Sequence, residues 1–259
     1  MRILTWNVNS VRKRIKQIIL LIKKVNPDVI CLQETKVENS SFPVKTFSNL
    51  GYLHHYLNGI LSYNGVCIIS RIKSTTSNKI NFCKKNDGRH ISQMINGIEI
   101  NNIYIPAGGD VPDKKINEKF KHKIQFLDEL ISWTRNKRKS ILLGDFNIAP
   151  KFDDVWSHKQ LVNTVSHTEI ERKKIDELLI KGDWVDTIRY FVRPPNNLFT
   201  WWSYRSPDYK KNNRGRRLDH CWITSDLKHL VKKAEILDYT RDWDVPSDHV
   251  PLLIDLKVN

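Results

Sequence analysis

Two stretches of the chain combine a helix that has one apolar face with a short apolar strand. Over residues 11–25 apolar side chains recur at helical spacing, an Asn-Pro-Asp turn ends the helix, and the apolar run VICLQ follows at 29–33. Residues 117–144 repeat the pattern, with a helix, a basic turn and the run SILLG. Both patterns predict a helix packed on a buried strand.

Further apolar runs predict strands. Several alternate between apolar and polar positions, which is typical of antiparallel strands, whereas VICLQ and SILLG are almost wholly apolar. The mixture predicts an α/β fold with two sheets and helices outside them, instead of one parallel sheet. These strands are predicted at residues 2–6, 66–70, 91–95, 98–105, 218–223 and 251–256.

The chain is predicted to form a single domain over residues 1–259, because no Gly/Ser-rich or Pro-rich linker divides it. The four cysteines show no CxxC spacing, and three of them lie in apolar strand-like runs. They are therefore interpreted as reduced residues of a cytoplasmic protein, and not as a zinc site or a disulfide framework. We recognise no export signal or membrane span in the sequence.

The charge balance indicates a polyanionic partner. Lys and Arg number 43 against 28 Asp and Glu, a formal net charge of +15. An excess of this size attracts nucleic acid over long range. Compositional drift in a lysine-rich proteome is the alternative explanation, so charge alone favours nucleic acid without deciding for it.

Polar side chains stand where the apolar strands end. Packed sheets present their strand ends on a common rim, so we expect these side chains to meet in one cleft. They are Asn7 and Asn9, Glu34, Tyr104, Asp145 and Asn147, Asp219, and Asp248 with His249.

These residue types suit metal-assisted phosphodiester hydrolysis. Carboxylates with amides and no thiolate favour a hard cation such as Mg²⁺ or Mn²⁺. His and Tyr supply donors to a phosphate, and an Asp partner holds a histidine in one tautomer. Taken singly, each residue has a structural explanation: Asp145 as a turn former, Asn147 in an Asx turn, Glu34 as a helix cap, Asp219 as an arginine partner, and Asp248-His249 as a strand-entry turn.

Seven motifs together resemble the exodeoxyribonuclease III family of apurinic/apyrimidinic (AP) endonucleases, within the endonuclease/exonuclease/phosphatase superfamily. They are WNVNSVR, PDVICLQETK, NIYIP, ILLGDFNIAP, FTWWSYRS, NNRGRRLDHCWI and PSDHVPL, in order from residue 2 to about 256. The resemblance implies a four-layer α/β sandwich of two packed mixed sheets flanked by helices, as in deoxyribonuclease I. It also implies Mg²⁺- or Mn²⁺-dependent cleavage on the 5′ side of abasic sites in double-stranded DNA, with 3′-to-5′ exonuclease and 3′-phosphodiesterase or phosphatase activity on blocked 3′ ends.

The resemblance also implies a role for each strand-end residue. Glu34 is the principal metal ligand, Asn7 and Asp248 lie close to the ion, and Asp145, Asn147 and His249 complete its surroundings. Asp145, oriented by Asn147, places or deprotonates the attacking water. His249, held by Asp219, donates to the scissile phosphate, and Tyr104 contacts the same phosphate or assists the leaving oxygen.

DNA binding is assigned more loosely. The stretches FTWWSYR and NNRGRR interleave aromatic and basic residues, which is typical of a surface that stacks on a displaced sugar and holds phosphates. A buried tryptophan pair beside a solvated basic turn is the alternative. The resemblance places Trp201 in the abasic pocket, and we expect Arg12, Arg89 and Arg216 to contact DNA.

Two positions depart from the family pattern. Many members have Asn where this chain has Ala107, which is followed by two glycines and Asp110, and some have Asp where it has Asn9. Ala107 cannot donate a hydrogen bond near the phosphate, and the glycines predict a mobile loop. The hypothesis is that abasic-site incision is weaker here relative to 3′-end trimming.

Two rival functions remain open. A superfamily phosphoesterase acting on inositol phosphates or sphingomyelin would share Glu34, Asp145, Asn147 and His249, although the basic charge favours DNA. A non-catalytic nucleic-acid-binding module would not need the GDFN and SDH motifs intact. We expect a monomer that acts on DNA without contacting membranes.

Overall fold

Two mixed six-stranded sheets make up the centre of the computed structural model, which describes residues 1–206 and 208–258. The first sheet contains β1 (Arg2–Asn7), β2 (Val29–Gln33), β3 (His54–Ile60), β4 (Tyr63–Ser70), β11 (Val231–Ile236) and β12 (Leu252–Leu256), in the order β11-β12-β1-β2-β4-β3. The second contains β5 (Ser77–Asn78), β6 (His90–Ile95), β7 (Ile98–Tyr104), β8 (Ser140–Asp145), β9 (Trp184–Asp186) and β10 (Asp219–Thr224), in the order β5-β6-β7-β8-β10-β9.

Helices cover the outer face of each sheet. The longer ones are α1 (Ile15–Val25), α3 (Glu118–Trp133) and α5 (Glu169–Lys181), and the shorter ones are α2 (Val44–Ser48), α4 (His158–Leu161), α6 (Thr187–Phe191) and α7 (Tyr209–Asn212). Alternate side chains of one strand face opposite layers, as the pleat requires. In β1, for example, Ile3 joins the core between the sheets while Leu4 packs in the core that contains Ile18 and Leu21 of α1.

The predicted four-layer α/β sandwich is confirmed. One apolar core lies between the sheets and includes Ile3 of the first and Leu143 of the second. Another lies between the second sheet and α3, whose residues Phe120 and Leu127 are buried against it. The helices α1 and α2 pack on the outer face of the first sheet and α3 and α5 on that of the second, which leaves the strand ends as the exposed rim.

The predicted helix over 11–25 begins later than expected, at Ile15. Residues 11–14 form turns, because the Arg14 guanidinium reaches back to donate to the Asn9 carbonyl and to that of Pro246. The helix ends at Asn26, whose φ of 46° is left-handed. Arg14 is buried in this turn.

The cysteines are free, as predicted, and three are buried. Burial raises the pKa of the Cys67 thiol to about 12 and that of Cys31 well above its ordinary value, so both are inert thiols. No helix in the described part of the chain is long and apolar enough to span a membrane.

A buried ion-pair network fixes the segment that leads into β10. The Arg217 guanidinium binds both oxygens of Asp154, at 2.9 and 3.0 Å, and reaches Asp186 at 2.7 Å. Arg217 and Asp154 are both completely inaccessible to solvent. The network therefore sets the direction in which the chain enters Asp219.

We expect Asp154→Asn to lower the free energy of unfolding by about 3–5 kcal/mol, because it leaves buried guanidinium charge unpaired. Urea denaturation measures this loss. Lys151→Met is the control: it removes a pair with Asp176 in which both side chains are nearly half exposed, and should cost about 1 kcal/mol or less. Equal losses in the two variants would contradict the assignment.

Candidate active site

The predicted polar residues meet at one rim, where five strands end. Register explains much of the convergence: Asp145 pairs with Tyr104 across the parallel β7–β8 ladder and with Asp219 across the antiparallel β8–β10 ladder. Asn7 ends β1, and Glu34 directly follows β2. Contact between the two sheets explains the rest, because Asn7 of the first sheet lies against Asp145 of the second.

Asn7 is the hub of these contacts. Its Nδ2 lies 2.8 Å from Glu34 Oε1, 2.8 Å from Asp145 Oδ2 and 3.4 Å from His249 Nε2. Its Oδ1 accepts from the Asn9 backbone N–H at 3.0 Å, which fixes the orientation of the amide. Asn7 thus presents its nitrogen to the two carboxylates and orients them, and its predicted place close to an ion stays a prediction.

Asp145 sits in a tight turn that makes it both a structural and a chemical residue. Its Oδ1 accepts from the Asn147 backbone N–H at 2.8 Å, and its Oδ2 from Asn147 Nδ2 at 3.1 Å. Asn147 has a left-handed φ of 54°, and its Nδ2 also donates to the Ile105 carbonyl at 2.9 Å. The turn-forming explanation is therefore correct for Asp145, but its second oxygen still faces the cleft residues.

Gly144 allows this turn because no other residue fits. Its φ is 128°, and a Cβ atom there would lie 2.1 Å from the Ile103 carbonyl oxygen of β7. Strand β8 can therefore approach β7 closely just before Asp145. Side-chain placement at the site thus depends on a backbone contact one residue upstream.

His249 is held by Asp219, as predicted, and not by its neighbour Asp248. The Nδ1 atom lies 2.8 Å from Asp219 Oδ2, and Nε2 lies 3.8 Å from Asp145 Oδ2. Burial opposes the charged ring, but the carboxylates of Asp219 and Asp145 outweigh it and raise the pKa of His249 to about 10. The ring is therefore an imidazolium at neutral pH, with an N–H at Nε2 directed at the cleft.

Burial lowers the pKa of the histidine but raises the pKa of the acidic groups Asp145 and Tyr104. It raises the pKa of Asp145 to about 7; His249 lowers that pKa, while Asp219 and Glu34 add to the rise. Burial, followed by the Glu34 and Asp145 carboxylates, also raises the pKa of Tyr104 well above its ordinary value. Tyr104 is thus a neutral donor, and Asp145 is poised to exchange a proton near neutral pH.

Asp248 and Asn9 form a second layer behind the cluster. Asp248 accepts from Asn9 Nδ2 and from Trp201 Nε1, each at 3.0 Å. Asn9 Oδ1 in turn accepts from Lys36 Nζ at 2.6 Å, and the same ammonium lies 2.8 Å from Glu34 Oε2. Asn9 and Trp201 therefore hold the two oxygens of Asp248, and its predicted place close to the ion stays a prediction.

Lys36 is a site residue that the sequence interpretation did not single out. It stands two positions after Glu34 in the quoted LQETK motif, and that spacing was the available signal. Lys123, buried beneath the cleft, gave no signal, because its position lies on the apolar face of α3.

The aromatic-basic stretch lines a cavity of about 790 Å³ next to the cluster. The Arg216 guanidinium lies 5.4 Å over the Trp201 ring and the Arg214 guanidinium 4.8 Å over Trp156. Trp201 is half-buried and paired to the strand-end segment at His249, whereas Trp202 is core, as the alternative held. None of the three arginines considered as partners of Asp219 binds it: Arg214 and Arg216 stack on the tryptophans, and Arg217 pairs with Asp154.

A second cavity, of about 600 Å³, opens on the other side of Glu34 and Tyr104. Arg89 lines it, with its guanidinium 4.8 Å from the Tyr104 ring centroid and bound to the Tyr104 carbonyl. Lys36, Lys85 and Lys119 add positive charge. Arg12 is exposed on the turn after β1, and its contact with DNA remains a prediction.

The loop at Ala107 makes defined packing contacts at the first of its two glycines. Both glycines are left-handed, with φ of 91° and 72°, but Gly108 is buried and its carbonyl accepts from Asn117 Nδ2 at 2.9 Å. A Cβ at Gly108 would lie 2.9 Å from Lys123 Cδ. The first glycine therefore lies in a packed turn next to the exposed Ala107, and the mobility of the loop stays a prediction.

The donor set fits a hard divalent cation. Glu34, Asp145 and His249 each offer one ligand atom, and these three atoms lie within 4.8 Å of one another. Two carboxylates suit Mg²⁺ or Mn²⁺, but an imidazolium has no free electron pair to donate. The residues thus fit an ion that Glu34 and Asp145 would hold, which leaves the His249 N–H free to donate to a phosphate oxygen.

Comparison with known proteins identifies the family. The profile of the Endonuclease/Exonuclease/phosphatase family matches residues 4–249. The chain belongs to that family. It is 28% identical over 275 residues to exodeoxyribonuclease III of Haemophilus influenzae, covering 99% of this chain and 100% of that protein.

Solved structures extend the likeness to the whole fold. An AP endonuclease from Archaeoglobus fulgidus superposes with a TM-score of 0.92 at 31% identity, covering 100% of both chains. The Neisseria 3′ phosphatase NExo, solved with a product DNA hairpin, gives 0.92 at 29% identity and 99% coverage of both. Members with this fold thus include an enzyme for abasic sites and one for 3′ ends.

Proposed function

We propose that the chain is a DNA repair nuclease that hydrolyses phosphodiesters on the 5′ side of abasic sites and removes nucleotides and phosphates from 3′ ends. The observation that carries the proposal is the placement of Asp145 between Asn147 and the Asp219–His249 pair, beside Glu34. A base, a cationic donor and a carboxylate for a cation then surround one space. The relatives that act on abasic sites and 3′ ends support DNA as substrate.

The cation-holding residues in this proposal are Glu34 and Asp145, with Asn7 orienting both carboxylates. A bound Mg²⁺ or Mn²⁺ would neutralise charge on the phosphate and on the departing 3′ oxygen. Lys36 adds a fixed positive charge on the far oxygen of Glu34. Asn9 and Asp248 hold that side of the site together.

Asp145 serves as the general base. It takes a proton from a water molecule that attacks phosphorus opposite the bond to the 3′ oxygen, and Asn147 fixes the direction of the carboxylate. The P–O3′ bond breaks, which leaves a 3′ hydroxyl on one fragment and a 5′ phosphate on the other. No covalent enzyme intermediate forms.

His249 and Tyr104 stabilise the charge that develops on the phosphate. The imidazolium donates from Nε2 to a non-bridging oxygen, since its Nδ1 is committed to Asp219. Neutral Tyr104 donates to the same group. Trp201, Arg216 and Arg89 line the two flanking cavities and hold the DNA on either side of the scissile phosphate.

Specificity for abasic incision is the finer part of the proposal. Ala107 is exposed beside Tyr104 in the cavity of about 600 Å³ and offers no hydrogen-bond donor to a phosphate there. This favours the second candidate, an enzyme that mainly trims 3′ ends and incises abasic DNA weakly.

We expect purified protein to cleave a duplex with one abasic site and to release phosphate from a 3′-phosphorylated duplex, with faster 3′ release. Gel analysis of both substrates with Mg²⁺, Mn²⁺ or excess EDTA tests this, and EDTA should abolish both reactions. Ala107→Asn should raise incision relative to 3′ release. Faster incision in the unsubstituted protein would overturn the trimming preference alone, whereas DNA binding without cleavage in any metal would overturn the nuclease assignment.

A further inference from the structure

Lys123 is a fully buried lysine on an otherwise apolar helix face, directly beneath the candidate active site. It lies on α3 between Phe120 and Leu127, and none of its side chain is exposed. An ammonium in such a place is costly, and a well-packed apolar replacement for a buried ion pair is often at least as stable. Stability alone therefore gives a weak reason for its presence.

The Lys123 ammonium has three oxygen partners, and two belong to active-site loops. Nζ donates to the Asn147 carbonyl at 2.8 Å and to the Ala107 carbonyl at 3.2 Å, and it pairs with Glu171 at 2.5 Å. Asn147 follows β8 and its Asp145, while Ala107 follows β7 and its Tyr104. One group therefore ties together the two loops that directly follow the base and the tyrosine.

The close packing at Gly108 shows how tightly Lys123 fits this junction. The Lys123 Cδ atom and the Val165 Cγ1 atom would lie 2.9 and 3.0 Å from a Cβ at Gly108. The loop after β7 thus folds over the lysine stem, while the ammonium at its end holds the carbonyl one residue earlier. An apolar side chain in its place would lose both carbonyls.

Glu171 anchors the lysine from the other side. Its carboxylate accepts from the Ser166 backbone N–H at 3.0 Å and from Thr168 Oγ1 at 2.6 Å, and its own side chain is fully buried. It is thereby fixed by several donors besides Lys123. Glu171 therefore fixes the position of the Lys123 ammonium, and the loops are not needed to hold it.

We propose that Lys123 is a positioning residue for catalysis, which sets Asp145 and Asn147 relative to Tyr104 through the carbonyls of Asn147 and Ala107. The inference rests on the roles given above to Asp145 and Tyr104. Ordinary lysine chemistry plays no part, because the ammonium is shut off from the cleft by the loops that it binds. Displacement of a reacting group by about 1 Å can cost roughly a hundredfold in rate.

The test is the double variant Lys123→Met/Glu171→Gln, which keeps the volume and leaves no unpaired buried charge. We expect kcat for 3′-phosphate release and for abasic incision to fall about ten- to a hundredfold, with KM for DNA within about threefold of the unsubstituted protein. Lys123→Arg, which keeps donors for both carbonyls, should recover part of kcat. The KM value is expected to hold because Trp201, Arg216 and Arg89 keep their own contacts.

Leu127→Ala is the matched control, since Leu127 lies one turn further along the same face and is equally buried. It should lower the melting temperature at least as much as the double variant while leaving kcat within about twofold. Full kcat in the folded double variant, or an equal loss of kcat in Leu127→Ala, would overturn the positioning role. Asp145→Asn is assayed beside them: its full activity would overturn the proposed function itself, whereas its inactivity with an active double variant would overturn only the inference about Lys123.

Discussion

Asp145→Asn is expected to lower kcat for abasic-site cleavage and for 3′-phosphate release by roughly a hundred- to ten-thousandfold, the range that a general base contributes. The amide cannot accept the proton of the attacking water, and it removes one of two carboxylates proposed to hold the cation. Its shape is unchanged, so the Asn147 backbone N–H keeps its acceptor at Oδ1. Single-turnover kinetics on both substrates measure the loss.

The same variant should still fold above pH 7, because relief of the buried charge offsets the loss of the hydrogen bonds that Asn7 and Asn147 donate to Oδ2. Burial raises the pKa of Asp145 to about 7, which means that the folded state disfavours the charged carboxylate. A neutral amide removes this penalty. Thermal melting at pH 8 therefore separates lost chemistry from lost folding.

Asp238→Asn, at an exposed carboxylate, is the control and should change neither quantity. Near-full turnover by Asp145→Asn would remove the residue from the mechanism. A large drop in melting temperature would instead contradict the account of its burial.

His249→Asn is expected to lower kcat roughly a hundred- to thousandfold, because it deletes a preorganised donor to the phosphate. In the unsubstituted protein the activity should rise as Asp145 loses its proton and fall again as His249 loses its own near pH 10. The variant should lack the alkaline fall. A pH profile of kcat/KM from 5.5 to 10.5 measures both limbs.

The free energy of unfolding should also depend on the protonation of His249. The pKa of His249 is raised from 6.5 to about 10 on folding, so its pair with Asp219 stabilises the native state fully below pH 6.5. That contribution is lost as the pH rises through about 10. The difference in unfolding free energy between the unsubstituted protein and His249→Asn should therefore be largest at pH 6 and smallest above pH 10.

His229→Gln, at an exposed histidine, is the comparison variant and should match the unsubstituted protein in both profiles. An alkaline limb that persists in His249→Asn would assign that limb to another group. A stability difference that grows with pH would show that burial, and not Asp219, dominates the ring.

Predictions from local pattern were the most accurate. Apolar periodicity predicted α1, α3 and most strands of both sheets, because burial of one face depends on residue spacing alone. It did not predict β3, β5, β9 or β11, whose sequences are more polar or shorter. The start of α1 was wrong by several residues because Arg14 binds carbonyls that are distant in the sequence.

For the site, the sequence by itself determined which residue types stand at strand ends, and the motifs determined the family. Only the tertiary structure decided how these residues are oriented: Asn7 turns its nitrogen to the carboxylates, Asp248 turns to Trp201, and Asp219 meets His249. The reason is that strand register and packing between the two sheets set side-chain direction, and both depend on contacts far apart in the chain. Lys123 illustrates the limit most clearly, since its position on an apolar helix face has meaning only once two loops fold over it.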